Sequence, residues 1–260
     1  MTEKNNWSIL IGEIEHILKL KTFPVGVKFL EDGKETEKIG KNKLRHPNKN
    51  SFTCQLITLA RTYKYTFHIT EGCLSPACAN VMGFKKVPEI VADGTLHSLA
   101  WTKTKEEAAK FETAMSRLPL KKYSGILVGP QALGLFEPDV VLFYGNPAQM
   151  MFIINALQFE DYEKLTFDCV GESSTCSNLI QSILDGKPSL CLPCYAERRF
   201  GHAQDDEMSM IVPRKQVEKV RRNLLQLFKR GIRYPIAYFG AGVDTSPGLP
   251  TKFRELLDIT

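Results

Sequence analysis

Cysteines are the residues of this 260-residue chain with the richest chemistry, and five of the seven lie in two short, turn-rich neighbourhoods. The first neighbourhood holds Cys73 and Cys78, and the second holds Cys176, Cys191 and Cys194. A thiol behaves as a small hydrophobe until it is deprotonated, when it becomes a soft metal ligand or a nucleophile. Turns rich in glycine and proline leave sulfur atoms free to converge. The pattern therefore predicts a metal, cluster or thiolate site.

The spacing of the cysteines fits iron–sulfur ligation and zinc ligation equally. Cys191 and Cys194 form a Cys-x-x-Cys turn, and four residues separate Cys73 from Cys78 ahead of a predicted helix. Both spacings occur among iron–sulfur ligands. Zinc takes four nitrogen or sulfur ligands, which these two pairs also provide. The predicted metal ligands are six cysteines: Cys54, Cys73, Cys78, Cys176, Cys191 and Cys194.

A charged segment follows the last of these cysteines and predicts a neighbouring anion site. Between residues 198 and 207 lie two arginines, a histidine and three carboxylates. Arg198 and Arg199 suit a carboxylate or phosphate ligand, and His202 could relay protons. Asp205 could orient these groups, so Arg198, His202 and Asp205 are the predicted catalytic residues. An exposed loop with internal ion pairs is the alternative interpretation.

A second anion contact is predicted where a buried strand meets a helix. Asn146 and Pro147 open that helix, and the free N–H groups of a helix N-terminus attract anions. Asn146 and Gln149 are therefore predicted, together with the two arginines, to bind a cofactor or substrate. A tight turn with a helix cap is the alternative. The chain has no dinucleotide-binding, phosphate-loop or nucleophile-elbow motif.

Composition restricts the class of protein. Hydrophobic residues make up 43% of the chain and charged residues 24%, which predicts one domain over residues 1–260. The formal charge is +5, but the basic runs 34–45 and 214–222 lack interleaved aromatic residues, so they are interpreted as solvated faces and nucleic-acid binding is disfavoured. No apolar run reaches the length of about 18 residues that a membrane span needs. A cytoplasmic protein with reduced cysteines is expected.

The alternation of apolar patterns predicts an α/β or α+β fold with a mixed sheet. Two stretches, about 24–90 and 138–190, repeat the order strand, helix, strand, cysteine-bearing turn, helix. They are interpreted as two pseudo-repeated halves that form one compact unit. Predicted strands include Leu165–Val170 and Thr95–Thr102, a helix is expected over Lys105–Arg117, and the tail at 241–250 is turn-rich.

These segments resemble the domain-of-unknown-function 169 family of bacteria and archaea, often anaerobes. The resemblance covers nearly the whole chain and depends on the following segments: Pro24–Phe29, Cys54-Gln55, Cys73, Phe136–Gln149, Cys176, Leu192–Cys194 and Arg198–Glu207. It implies a single conserved architecture, not a reaction. It also implies that Cys54, Cys73, Cys176 and Cys194 are the family-type positions, with Cys78, Cys169 and Cys191 as additions of this protein.

The leading functional hypothesis is a protein that binds an iron–sulfur cluster, of the 4Fe-4S type, beside an anion pocket and acts in redox or cofactor-related anaerobic metabolism. One alternative is a cluster-free enzyme in which an activated thiolate (Cys73, Cys176 or Cys194) attacks a small electrophile. Another is a structural zinc protein that binds partners. The expected partners are a small anionic molecule or a redox partner protein, and self-association into a homo-oligomer is left open.

Overall fold

The computed structural model of the chain describes residues 3–32, 34–237 and 248–258. Six strands form one sheet with the spatial order β2-β3-β1-β4-β6-β5, and every pair of neighbouring strands is antiparallel. In the described part of the chain, parallel pairing occurs at two isolated bridges outside the strand pairs. The strands are β1 Val25–Leu30, β2 Phe67–Ile69, β3 Gly125–Pro130, β4 Val140–Gly145, β5 Ser189–Cys191 and β6 Met208–Pro213.

Helices cover both faces of this sheet, so the fold is α+β. They are α1 Glu3–Leu18, α2 Lys34–Ile39, α3 Thr53–Tyr63, α4 Pro76–Val81, α5 Glu89–Ala92, α6 Lys105–Ala114, α7 Pro147–Gln158, α8 Ser174–Asp185, α9 Tyr195–Gly201, α10 Arg214–Lys229 and α11 Thr251–Leu256. Within the described ranges, no helix has both the length and the apolar character needed to cross a bilayer.

Strand alternation divides the core into two layers. In β4, Leu142 and Tyr144 pack in a first core with α3, α4 and α8, whereas Val141 and Phe143 pack in a second core with α1, α7 and α10. Successive side chains of a strand point to opposite faces of the sheet. The first core and the second core therefore lie on opposite faces, and every helix that carries a cysteine lies on the first.

The second core is closed by helices whose apolar residues recur at helical spacing. In α10, Val217, Val220, Leu224 and Leu227 are buried, while the basic residues between them remain at the surface. Residues three and four positions apart share one helix face, so this pattern places one side of the helix on the sheet. The basic run of this helix is accordingly a solvated face, as predicted.

Most predicted elements are confirmed, but two predicted strands are wrong. The segment 95–102 contains a short 3-10 helix, His97–Leu99, with Leu96 and Leu99 exposed. Leu165–Val170 has no regular structure, although Leu165 and Phe167 pack against the second core. The alternating apolar residues of this segment therefore serve as side-chain contacts and not as a strand. The helix predicted over Lys105–Arg117 ends at Ala114.

The predicted duplication is not confirmed. The strand order is symmetric about the β1–β4 pair, as two similar halves would require. However, α3 and α7, which were equated, lie on opposite faces of the sheet. The strand expected at Leu165–Val170 in the second half does not form. The turn-rich tail predicted at 241–250 lies outside the described residues up to position 247.

A matched pair of glycine substitutions tests the packing of β1. A Cβ on Gly26 would come within 1.9 Å of the side-chain nitrogen of Gln131. Gln131 is fully buried, and its side-chain oxygen accepts a hydrogen bond from the Trp7 indole. Gly26→Ala should cost about 1–3 kcal/mol because this side chain must be displaced. Gly12→Ala, at an exposed position of α1 with open space around it, should stabilise the chain by about 0.5–1 kcal/mol. Urea unfolding of both variants measures the difference; equal stabilities would contradict this packing.

Candidate cysteine site

Four cysteines on the first face lie in the opening turns of four different helices. Cys54 is the second residue of α3, while Cys78 and Cys176 are the third residues of α4 and α8. Cys194 is the N-cap residue of α9. Cys54, Cys78 and Cys194 are buried, and Cys176 is largely enclosed by the first core. Long-range folding thus brings together thiols that are up to 140 positions apart in the sequence.

Hydrogen bonding or electrostatic interaction links each of these four thiols to at least two of the others. The Cys176 thiol donates a hydrogen bond to the Cys78 sulfur, which lowers the pKa of Cys78 and raises the pKa of Cys176. Cys54 interacts electrostatically with Cys78 and Cys194, and Cys176 with Cys54 and Cys194. We call Cys54, Cys78, Cys176 and Cys194 the cysteine cluster. Across the described residues, no three His, Cys, Asp or Glu side chains are grouped closely enough to hold a metal ion.

Backbone N–H groups donate hydrogen bonds to the sulfurs of the cysteine cluster. The N–H of Thr53 donates to Cys78 at 3.5 Å, and the N–H of Gln55 donates to Cys54. The hydroxyl of Ser75 caps α4 by accepting the N–H of Cys78. Because helices begin at these residues, their free amides are directed at the thiols. Such donors stabilise a thiolate over a thiol.

At Cys54 and Cys194, burial raises the pKa and so opposes the effect of these hydrogen bonds. The sulfur of Cys194 accepts N–H groups of Ser173 and Glu197, but removal from water raises the pKa of Cys194. Burial also raises the pKa of Cys54, and the nearby Glu197 carboxyl raises it further. Without a cation, Cys54 and Cys194 are therefore neutral thiols at pH 7. A bound metal would displace their protons, because thiolates are the ligands.

The other three cysteines have different partners or are exposed. Cys73 is half-buried beside the Thr70 hydroxyl, 3.5 Å from its oxygen. Cys191 is fully buried on β5, where it contacts Ser209 and Asn178, and burial raises its pKa. Cys169 is exposed. The group that converges therefore contains Cys78, whereas the resemblance to the family implied Cys73.

A buried polar network supports the cysteine cluster from below. Glu197, three residues after Cys194, accepts hydrogen bonds from the Tyr144 and Thr175 hydroxyls, both at 2.6 Å. Burial raises the pKa of Glu197, although both hydrogen bonds lower it. The carboxyl interacts electrostatically with Cys54 and Cys194. Glu197 thus links β4 and α8 to the turn that carries Cys194.

A buried ion pair adjoins this network. Arg61 donates two hydrogen bonds to Glu207, at 2.7 and 2.9 Å, and its guanidinium lies 4.2 Å from the centre of the Tyr144 ring. Burial alone would raise the pKa of Glu207, but the hydrogen bonds from Arg61 keep it below its usual value. A bidentate arginine–carboxylate pair fixes geometry as well as charge. It therefore clamps the end of α3 to the segment that enters β6.

The sequence offered little signal for this support. Arg61 and Glu197 are charged residues in helices, where the usual interpretation is a solvated face. Their burial, at 3% exposure each, follows from long-range packing. The one local hint is position: Arg61 falls on the same helix face as Ile57, and that face is buried.

The Glu207 carboxyl should make stability pH-dependent in a defined direction. Its pKa is lower in the folded chain than the ordinary value of 4.5, so its contribution is fully present above about pH 4.5 and is lost as pH falls through the folded pKa. Glu207→Gln removes this contribution. The loss of unfolding free energy in the variant should therefore be large at pH 7 and smaller at pH 3.5. Urea unfolding at both pH values measures it, and an equal loss at both would contradict the assignment.

The predicted catalytic residues lie at the surface beyond α9. His202 ends α9 in a left-handed conformation (φ 51°) and is exposed, as is Asp205. Arg198 is half-buried and donates to the Gln204 carbonyl. Arg199 is exposed and donates to the Tyr195 hydroxyl at 3.2 Å. Arg198 and Arg199 lie on the helix that Cys194 caps.

Asn146 and Gln149 direct their hydrogen-bonding groups to the chain itself. Asn146 caps α7 through the N–H of Gln149, and its amide nitrogen donates to the Tyr234 hydroxyl. The side-chain oxygen of Gln149 accepts a hydrogen bond from the N–H of Asn146. Its side-chain nitrogen donates to the Leu18 and Lys19 carbonyls. This reciprocal capping box fixes the start of α7. It matches the helix-cap interpretation of these residues.

Comparisons with known proteins show the family of this chain. The model of the domain-of-unknown-function family DUF169, described as uncharacterised ArCR, matches residues 13–223, which include all seven cysteines. An uncharacterized protein of Methanocaldococcus jannaschii is 24% identical over 171 residues, which cover 64% of this chain and 73% of that protein. No solved structure matches the chain. The extent of the family match shows that this chain is a member of the DUF169 family.

Proposed function

We propose that the chain binds an iron–sulfur cluster of the 4Fe-4S type through Cys54, Cys78, Cys176 and Cys194. The observation that carries the proposal is the convergence of four enclosed thiols from four helix starts. Four cysteine thiolates are the usual ligand set of such a cluster. Binding would replace the hydrogen bond between the Cys78 and Cys176 thiols by bonds from each sulfur to iron.

The surroundings of the cysteine cluster suit an anionic group. A cluster held by four thiolates carries net negative charge, and hydrogen bonds to its sulfurs help to set its reduction potential. The N–H groups of Thr53, Gln55 and Ser173 already donate to cysteine sulfurs. The buried Glu197 opposes further negative charge, so the hydroxyls of Tyr144 and Thr175 and the nearby Arg61 are needed to compensate it.

The role we propose is redox chemistry or cofactor handling. The four cysteines would give each of the four irons a protein ligand. This favours a cluster that transfers electrons over one that binds substrate at an open iron. Arg198 and Arg199 follow Cys194 on α9 and present their guanidiniums near the surface. They would attract an anionic small molecule or an acidic protein to this side of the molecule.

One observation favours a second candidate, a cluster-free thiol enzyme. The Cys78 sulfur accepts hydrogen bonds from the Cys176 thiol and the Thr53 N–H, and these lower the pKa of Cys78. A lowered pKa is typical of nucleophilic cysteines. In that case Cys78 would be the reactive thiolate and Cys176 its hydrogen-bond donor. Zinc bound by the same thiols is the third candidate carried over from the sequence.

Anaerobic purification and metal analysis separate the three candidates. The full chain, expressed with iron supplied and purified without oxygen, should be brown, with broad visible absorbance and about four irons and four sulfides per chain. Rapid alkylation of Cys78 in a colourless, metal-free chain would support the thiol enzyme. One tightly held zinc and no iron would support a zinc site. Either of these last results would overturn the iron–sulfur proposal.

A further inference from the structure

A continuous strip of partly exposed aromatic side chains lies over the cysteine cluster. Trp101 and Tyr195 are 5.6 Å apart, Arg199 bonds the Tyr195 hydroxyl and lies 5.8 Å from Phe200, and Phe200 stacks on Phe52 at 4.6 Å. Trp101 is 48% exposed, Tyr195 56% and Phe200 37%. We call these four rings and Arg199 the aromatic strip. Contiguous apolar surface of this kind marks interaction sites.

The strip is separated from the cysteine cluster by very little protein. Tyr195 directly follows Cys194, and only Thr53 separates Phe52 from Cys54. Gly201, next to Phe200, packs so closely on α3 that an added Cβ would lie 3.1 Å from the Cβ of Cys54. Cys54 and Cys194 are each 8% exposed. The strip is therefore the surface nearest to two of the four proposed ligands.

Positive charge accompanies the strip. Among the described residues, Arg199 and the exposed Lys103, two positions after Trp101, form no ion pair. The Glu172 carboxylate lies beneath the strip, half-buried, where it accepts the N–H groups of Ser173 and Tyr195. Unpaired cations at the surface attract an acidic partner and accelerate its approach.

We propose that the aromatic strip, with Lys103, is the docking surface for a small acidic electron-carrier protein of the ferredoxin class. This inference rests on the proposed function, because the cluster would be the electron acceptor. One electron passes from the reduced carrier to the oxidised cluster, so that the carrier is oxidised and the cluster reduced, and no bond or proton is exchanged. Electron-transfer encounters use small interfaces, below about 1,200 Å² in total, which a strip of this size can supply.

The test measures the rate at which a reduced acidic ferredoxin reduces the cluster of the full chain in stopped flow. Arg199→Glu and Lys103→Glu should each lower the second-order rate constant about tenfold at low ionic strength, with smaller effects at high salt. Lys229→Glu, at the end of α10 on the opposite face, makes the same change in net charge and should leave the rate within about twofold. Reduction by the methyl viologen radical cation should not slow in any of the three variants, because it needs no docking and the added carboxylates do not repel a cation.

A measurement of affinity tests the docking surface independently of the cluster. Calorimetric titration of the chain, with or without iron, should give a micromolar dissociation constant for the ferredoxin, weakened by Arg199→Glu and by Trp101→Ser. No binding, or equal rates and affinities in all variants, would overturn the docking surface. If the chain assembles no cluster when iron is supplied but still binds the ferredoxin, the proposed function is overturned while the docking surface stands.

Discussion

Cys78→Ser should abolish cluster assembly, whereas Cys73→Ser should leave it intact. Cys78 contacts Cys176 and is electrostatically coupled to Cys54, while Cys73 faces the Thr70 hydroxyl outside the cysteine cluster. Removal of one of four thiolates leaves an iron without its protein ligand. The Cys78 variant should therefore lose most of its iron and its visible absorbance. Only four residues separate these two cysteines, so the pair is the sharpest comparison in the chain.

The other cysteines extend the same test. Serine at Cys54, Cys176 or Cys194 should cause the same loss, whereas Cys169→Ser and Cys191→Ala should retain about four irons. Circular dichroism and unfolding curves of each variant serve as controls, because a variant that has lost its fold reports nothing about ligation. Iron retained in the Cys78 variant and lost in the Cys73 variant would transfer the ligand role to the position implied by family resemblance.

Arg61→Met should destabilise the chain by about 3–5 kcal/mol, because it leaves the buried Glu207 carboxylate without its partner. It also removes the positive charge above the Tyr144 ring and near Glu197. Arg222→Met is the matched control. Arg222 makes a similar bidentate contact with Glu160, but both side chains are exposed, so its loss should cost about 0–1 kcal/mol. Urea unfolding at pH 7 compares the two.

The double variant Arg61→Met, Glu207→Gln tests whether an unpaired buried charge causes this loss of stability. If the cost arises from an unpaired buried charge, removal of that charge should restore part of the stability. A double variant as unstable as the sum of the single variants would contradict this interpretation. Equal losses for the Arg61 and Arg222 variants would show that burial of the first pair has no energetic consequence.

Local pattern was sufficient for most of the secondary structure and insufficient for its pairing. β1, β4 and β6 were predicted because β-branched and aromatic residues run between clear turn signals. Leu165–Val170 has the same alternation but forms no strand, and Leu165 and Phe167 instead pack against the second core. Tertiary packing overrides local strand preference here, so the sequence does not encode the outcome locally.

The candidate site was partly predictable for a related reason. Cys54 and Cys176 lie near predicted helix starts and Cys194 in a predicted turn, and the family resemblance marked all three. The choice between Cys73 and Cys78 depends on where α4 begins: Pro76 opens the helix, Ser75 caps it, and Cys78 faces inward on the first turn. Arg61 and Glu197 escaped prediction because nothing in a single sequence distinguishes a buried charge from a solvated one.

The aromatic strip also could not be predicted from the sequence. Phe52, Trp101 and Tyr195 belong to three distant segments, and each alone is an ordinary aromatic residue. Their contact depends on the packing of α9 against α3, where Gly201 permits close approach and its carbonyl accepts the Thr58 hydroxyl. The segment around Trp101 had instead been predicted to be a strand.

The Mössbauer spectrum of the full chain, labelled with ⁵⁷Fe and purified without oxygen, tests the central claim most directly. The account predicts the quadrupole doublet of an oxidised four-iron cluster with all-sulfur coordination, and its loss in the Cys78→Ser chain. A spectrum without protein-bound iron, or with isolated mononuclear iron only, would contradict it.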